Sequence, residues 1–129
     1  MAAIDLILTD NPSIKGREDR YVRVRVEAAK TIKSWRPSLF SFEWLTPDGA
    51  IRGLDDLPLH ERDKRLKVEK ALQAGQSLAC PVLGIGLLDN IEIGAGRDVF
   101  LTLAAAGHTA IEVHIPVSSK KEFQDFVLP

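Results

Sequence analysis

The fold of this chain is decided by residues 82–115, which read VLGIGLLDNIEIGAGRDVFLTLAAAGHTAIEVHI. Val82–Leu88 is apolar on both sides, which is typical of a strand covered on two faces. Arg97–Ala106 is hydrophobic around almost its whole circumference and stops at Gly107, so it predicts a helix packed on several sides. Ala110–Ile115 alternates apolar and polar side chains, the period of a strand. The stretch predicts a strand-helix-strand unit, or a hairpin-helix-strand unit if Ile91–Ile93 folds back as another strand.

The N-terminal half is predicted to be rich in strands. Ile4–Leu8 indicates a first strand, because a cluster of turn residues follows at Thr9-Asp10-Asn11-Pro12. Tyr21–Glu27 alternates valine with charged residues, which favours a strand to about residue 28 and a short helix to Trp35. A longer helix competes for the same residues, since several apolar side chains also fall three or four apart: Tyr21, Val24, Ala28, Ile32 and Trp35.

The remaining patterns complete an α+β fold. Leu39–Leu45 follows the period of a strand, with its aromatic residues Phe40, Phe42 and Trp44 on one side. Pro58–Ala74 has the composition of a charged helix that ends at Gly75. Ser119 and Glu122 have the spacing of a capping box and predict a last helix. We expect one mixed sheet of four to five strands, with an N-terminal strand or hairpin region and a C-terminal strand-helix-strand-helix unit.

Composition is that of an ordinary globular domain. The 129 residues are 45% hydrophobic and 27% charged, and 18 acidic against 17 basic side chains leave a net charge of −1. Because this length is typical of one domain, residues 1–129 are predicted to form a single α+β domain. The balance argues against collagen-like, coiled-coil, disordered and disulfide-rich proteins, and against a globally basic nucleic-acid binder.

The sequence also bears on the compartment. Cys80 is the only cysteine and lies in an apolar stretch, so a buried thiol in a reducing compartment is expected. The first ten residues carry Asp5 and no Lys or Arg, unlike a secretory signal. No apolar run approaches the length of a membrane span. We therefore expect a cytoplasmic protein without a membrane partner.

A glycine-rich turn before the predicted helix 97–106 is the first candidate site. Gly94 and Gly96 precede Arg97, and the free N–H groups of a helix N-terminus hold anions. The motif lacks the third glycine of a dinucleotide fingerprint and the lysine of a P-loop, so no cofactor is expected. Gly94, Gly96 and Arg97 are the predicted anion site. The alternative is a tight structural entry to the helix.

Two carboxylates and an imidazole form a second candidate site. Glu112 and His114 project from the same face of their strand, and Asp89 ends the neighbouring predicted strand. The order Asp…Glu-x-His resembles the Asp…Glu-x-Lys pattern of metal-dependent nucleases, with His in place of Lys. Convergence of the three side chains would allow a divalent ion to activate water. The alternative is a solvated strand face.

A basic segment is the third candidate. Residues 15–36 carry eight basic and three acidic side chains, whereas residues 76–129 carry three basic and six acidic ones. The bases that would contact nucleic acid are Arg20, Arg23, Arg25 and Lys30. Pairing of these bases with acids elsewhere in the chain is the alternative.

The aromatic set Phe40, Phe42 and Trp44 is either core or, if exposed, a surface that a symmetric homodimer would bury. The sequence thus favours a small non-enzymatic binding or accessory protein that acts as a homodimer, and leaves a further protein partner open. Two alternatives remain: a metal-dependent phosphodiester-cleaving enzyme, and a nucleic-acid-binding module.

Overall fold

The longest ladder of the fold pairs β2 (Tyr21–Glu27) with β6 (Ala110–Pro116) in antiparallel register, in a computed structural model that describes residues 6–129. Tyr21 lies opposite Pro116, and Glu27 lies opposite Ala110. Valines of β2 turn towards the core, where Val26 is fully buried. The chain passes directly from β2 into α1 (Ala28–Trp35), as the sequence predicted.

The C-terminal unit consists of a hairpin, a helix and a strand, which is the second of the two predicted arrangements. β4 (Leu83–Ile85) and β5 (Ile91–Ile93) pair antiparallel, and α3 (Arg97–Ala105) leads from them to β6. The N–H of His114 donates to the carbonyl oxygen of Pro81 at 2.8 Å, and a parallel bridge joins Val82 to His114. The segment entering β4 therefore runs parallel to β6.

Two further short strands and one helix complete the fold. β1 (Leu8–Thr9) pairs in parallel with β3 (Leu78–Ala79), a strand that the sequence did not predict. Residues 4 and 5 of the predicted first strand lie outside the described residues. The predicted charged helix is α2 (Leu59–Gln73), which packs against α3.

Residues 6–129 do not form the predicted single sheet of four to five strands. Their strands pair two by two, as β1–β3, β2–β6 and β4–β5. Within the same residues, one isolated bridge, between Val82 and His114, joins the start of the β4–β5 ladder to the β2–β6 ladder. The physical reason lies at Pro81, which has no N–H to donate across the β4–β6 junction, and in the short length of β4.

The prediction of a strand over Leu39–Leu45 is wrong. Phe40 has a left-handed backbone conformation with φ of 69°, and a short 3-10 turn follows at Ser41–Glu43. The hydroxyl of Ser41 donates to the carbonyl oxygen of Arg36 at 2.6 Å, which folds the segment back on the end of α1. The aromatic side chains are therefore divided: Trp44 is fully buried, while Phe40 and Phe42 are 50% and 64% exposed.

The predicted last helix is also wrong. A 3-10 turn at Val117–Ser119 is followed by successive turns, although Phe123 is fully buried as the hydrophobic pattern required. Val127 bridges to Val26, and the N–H of Leu128 donates to the carbonyl oxygen of Arg25 at 2.8 Å. These bonds to the free edge of β2 hold the chain end in an extended course that a helix could not follow.

One continuous hydrophobic cluster joins β2, β6, the β4–β5 hairpin and the three helices. Its largest fully buried side chains come from α1, α3, β4, β5, β6 and two loops: Trp35, Trp44, Phe100, Phe123, Leu83, Ile91, Ile93, Leu101, Leu103, Ile111 and Ile115. Among the described residues, no helix combines the length and the apolar character that a bilayer crossing needs.

Candidate functional site

A cavity of about 470 Å³ lies where α2 meets the beginning of α3. The turn between β5 and α3 lines one side with Gly94, Gly96, Arg97 and Asp98, and α2 lines the other with Glu61, Lys64 and Lys67. The three residues of the predicted anion site thus border a single cavity. Its volume lies within the range of small-molecule sites in proteins, about 300–1,000 Å³.

The glycines of this turn are also required by the fold. Gly96 has a φ of 81°, and a Cβ at this position would lie 2.9 Å from the Cα of Pro81. Gly94 donates its N–H to the carbonyl oxygen of Val82 at 2.9 Å. Close approach of the turn to Pro81 and Val82 therefore fixes where α3 begins. The structural and the anion-binding interpretations of the glycines are compatible.

Backbone dipoles and side-chain charge both favour an anion in the cavity. A helix leaves the N–H groups of its first turn without intrahelical partners, and Gly96 has no side chain to cap α3. Arg97 is held in place, because its guanidinium lies 5.6 Å from the ring centroid of Trp35 and its Nε donates to the carbonyl oxygen of Ile93 at 3.4 Å. Three cationic side chains line the cavity against two acidic ones.

Lys64 and Lys67 are the two basic lining residues that do not belong to the predicted anion site. They follow Glu61 at intervals of three residues, so the three side chains share one face of α2. That periodicity was visible in the sequence. What the sequence did not reveal is that this face lies beside the beginning of α3.

The predicted metal site is not assembled as expected. Glu112 and His114 do share one face of β6, but they interact with the N-terminal part of the chain. Oε1 of Glu112 is 3.0 Å from Nη1 of Arg23, and Nε2 of His114 is 3.4 Å from Oδ1 of Asp10. Asp89 lies in the β4–β5 turn with a φ of 59°. The structure thus brings together two of the three predicted ligands.

Within residues 6–129, one group of His, Cys, Asp and Glu side chains brings three ligand atoms within 4.8 Å of one another. It consists of Glu43, His60 and Glu61, and therefore includes none of the predicted ligands. Glu61 is shared between this group and the cavity.

His114 and Cys80 are buried, which changes the proton affinities of both side chains. Burial lowers the pKa of His114 and the positive charge of Arg23 lowers it further, against the opposing effect of Asp10. Burial raises the pKa of the Cys80 thiol to about 12. Cys80 Sγ lies 3.4 Å from the carbonyl oxygen of Glu112, so the thiol donates a hydrogen bond to the strand that carries His114.

The basic residues proposed to contact nucleic acid are largely engaged within the chain. Arg23 pairs with Asp10 and Glu112, both at 3.0 Å. Nη2 of Arg25 donates to the carbonyl oxygen of Pro129 at 2.8 Å. Lys30 lies 3.9 Å from Glu27, and Arg20 is exposed.

Comparisons with protein-family models, with curated proteins and with solved structures gave no match to this chain.

Proposed function

We propose that this protein binds a small phosphate-bearing ligand in the cavity between α2 and the beginning of α3. The observation that carries the proposal is the convergence of Lys64, Lys67 and Arg97 on one cavity that also borders the uncapped N-terminus of α3. Cations and backbone N–H groups are the partners that proteins offer to phosphate oxygens. Lys64 and Lys67 belong to α2 and Arg97 begins α3, so the ligand would contact both helices.

Binding without chemistry is the simplest use of this arrangement. The lining groups hold an anion, whereas the one thiol of the chain is buried elsewhere with a pKa raised to about 12. A fully buried thiol also supports a role in a reducing compartment, and we place the protein in the cytosol on this ground.

Titration with pyrophosphate, followed by calorimetry in a metal-free buffer, tests the proposal. We expect saturable binding that weakens with added salt, because the contacts are ionic. Lys67→Gln should weaken it by about three- to tenfold, the effect of losing one charged contact of about 1 kcal/mol. Lys70→Gln is the matched control, since Lys70 is exposed on the same helix and does not line the cavity. Equal loss in both variants, or no binding, would refute the proposal.

We further propose that the protein acts as a homodimer through an apolar patch of Leu39, Phe40, Phe42, Leu87 and Leu88. These side chains are 50% to 104% exposed, in two turns that Ser38 and Asn90 join by a hydrogen bond of 2.8 Å. The rings of Phe40 and Phe42 lie 6.3 Å apart. Contiguous exposed apolar side chains are typical of interaction surfaces.

Sedimentation tests the dimer directly. The native chain should sediment with twice its mass of 14.2 kDa, and Phe42→Ser should shift it to the monomer. Val117→Ser is the control, because Val117 is 45% exposed outside the patch. A monomeric native chain at high concentration would contradict the proposal.

A further inference from the structure

Two carboxylates and an imidazole converge beside the cavity, where the chain enters α2. Glu43 comes from the 3-10 turn Ser41–Glu43, and His60 and Glu61 come from the first turn of α2. Nε2 of His60 lies 2.8 Å from Oε2 of Glu43 and 3.8 Å from Oε1 of Glu61. Ligand atoms bound tetrahedrally to one zinc ion at about 2.0–2.2 Å lie about 3.3–3.6 Å apart. The two separations of 2.8 and 3.8 Å lie on either side of this range, and an ion would replace the hydrogen bond between His60 and Glu43.

The burial of Glu61 is the second observation that points to a cation. Glu61 is 5% exposed, and a carboxylate in that environment is costly without compensation. A Glu in the first turn ordinarily bonds back to the N–H of the residue that caps the helix. That residue is Pro58, which has no N–H. Its carboxylate forms ion pairs with Nζ of Lys64 at 3.7 Å and Nε2 of His60 at 3.8 Å, and no hydrogen bond to it is found within residues 6–129.

We propose that Glu43, His60 and Glu61 bind a divalent first-row metal ion of the zinc class. One imidazole with two carboxylates is a donor set that this class accepts, and three protein ligands leave a coordination position free. Because the side chain of Glu61 also lines the cavity, the ion lies at the cavity wall. His60 is the adjustable member, since its side chain is 62% exposed.

Calorimetric titration of the EDTA-treated, dialysed full chain with zinc chloride tests this site. One ion should bind per chain, and His60→Gln and Glu43→Gln should each weaken the affinity by at least about tenfold. His108→Gln is the control, because His108 is exposed and outside the group, and it should bind zinc like the native chain.

The result is separable from that of the anion titration, which is done without metal. Absence of zinc binding, or native affinity in His60→Gln, would overturn the metal site and leave the anion proposal standing. Because His60 is exposed, His60→Gln should fold normally. The unfolding temperature of this variant in EDTA should equal that of the native chain. A large drop in that temperature together with lost zinc binding would assign His60 to stability and would also overturn the site.

Discussion

Substitution of Gly96 by alanine should destabilise the fold strongly. Two separate costs apply at this position. The backbone has a φ of 81°, which costs an L-residue about 1–2 kcal/mol. The added Cβ would also lie 2.9 Å from the Cα of Pro81, and such overpacking costs about 1–3 kcal/mol. Gly96→Ala should therefore lower the free energy of unfolding by about 2–5 kcal/mol.

Two other glycines separate these costs. Gly107 has a φ of 99° with nothing within 4 Å of an added Cβ, so Gly107→Ala carries the backbone cost alone, about 1–2 kcal/mol. Gly53 has an ordinary φ of −64° and is equally open. Gly53→Ala should stabilise the chain by about 0.4–1 kcal/mol, because alanine has less freedom in the unfolded state.

Urea unfolding of the three variants, followed by circular dichroism, gives the required free energies. The expected order of stability is Gly53→Ala, native chain, Gly107→Ala, Gly96→Ala. If Gly96→Ala is no less stable than Gly107→Ala, then contact between the glycine turn and Pro81 does not fix the start of α3.

Three further predictions concern buried polar groups. The Thr102 hydroxyl is buried and has no hydrogen-bond partner within residues 6–129. Thr102→Val should therefore leave the free energy of unfolding unchanged or raise it by about 1 kcal/mol, whereas Thr102→Ser should lower it. Because burial lowers the pKa of His114 below the value of 6.5 that it has when unfolded, the unfolded chain binds more protons there, and stability should fall as the pH drops through about 6.5. His114→Gln should flatten this dependence between pH 5.5 and 8 while the exposed His108→Gln retains it; equal slopes would contradict the assignment. Cys80, with its pKa raised to about 12, should resist a thiol reagent at pH 8 until the chain unfolds, and rapid labelling of the native chain would show that the thiol is accessible.

Local patterns in the sequence predicted the elements whose contacts are local. The valine alternation of β2 and the apolar surface of α3 each identify an element without knowledge of its partners. The aromatic alternation in Leu39–Leu45 misled because the left-handed Phe40 and the hydroxyl of Ser41 turn the chain there. The capping-box spacing at Ser119 misled because the end of the chain bonds to β2 instead.

The candidate site shows the same division. Gly94, Gly96 and Arg97 lie within four residues of sequence, so the pattern of a glycine turn before a helix identifies all three. Lys64 and Lys67 reach the same cavity only because α2 packs against α3. The group of Glu43, His60 and Glu61 depends on a turn that the sequence analysis had assigned to a strand. Tertiary packing therefore decides which charges meet, and residue spacing alone does not.

The ladder between β2 and β6 has a consequence for how the chain is made. Tyr21 lies opposite Pro116, and Val26 also bridges to Val127, about one hundred residues further along the chain. Because synthesis runs from the N-terminus, β2 is made well before either partner, and its apolar face stays unpaired until β6 follows. Pairing between such distant segments slows folding and lengthens the time available for association with other chains. Removal of residues 126–128 would leave one edge of β2 open to neighbouring molecules.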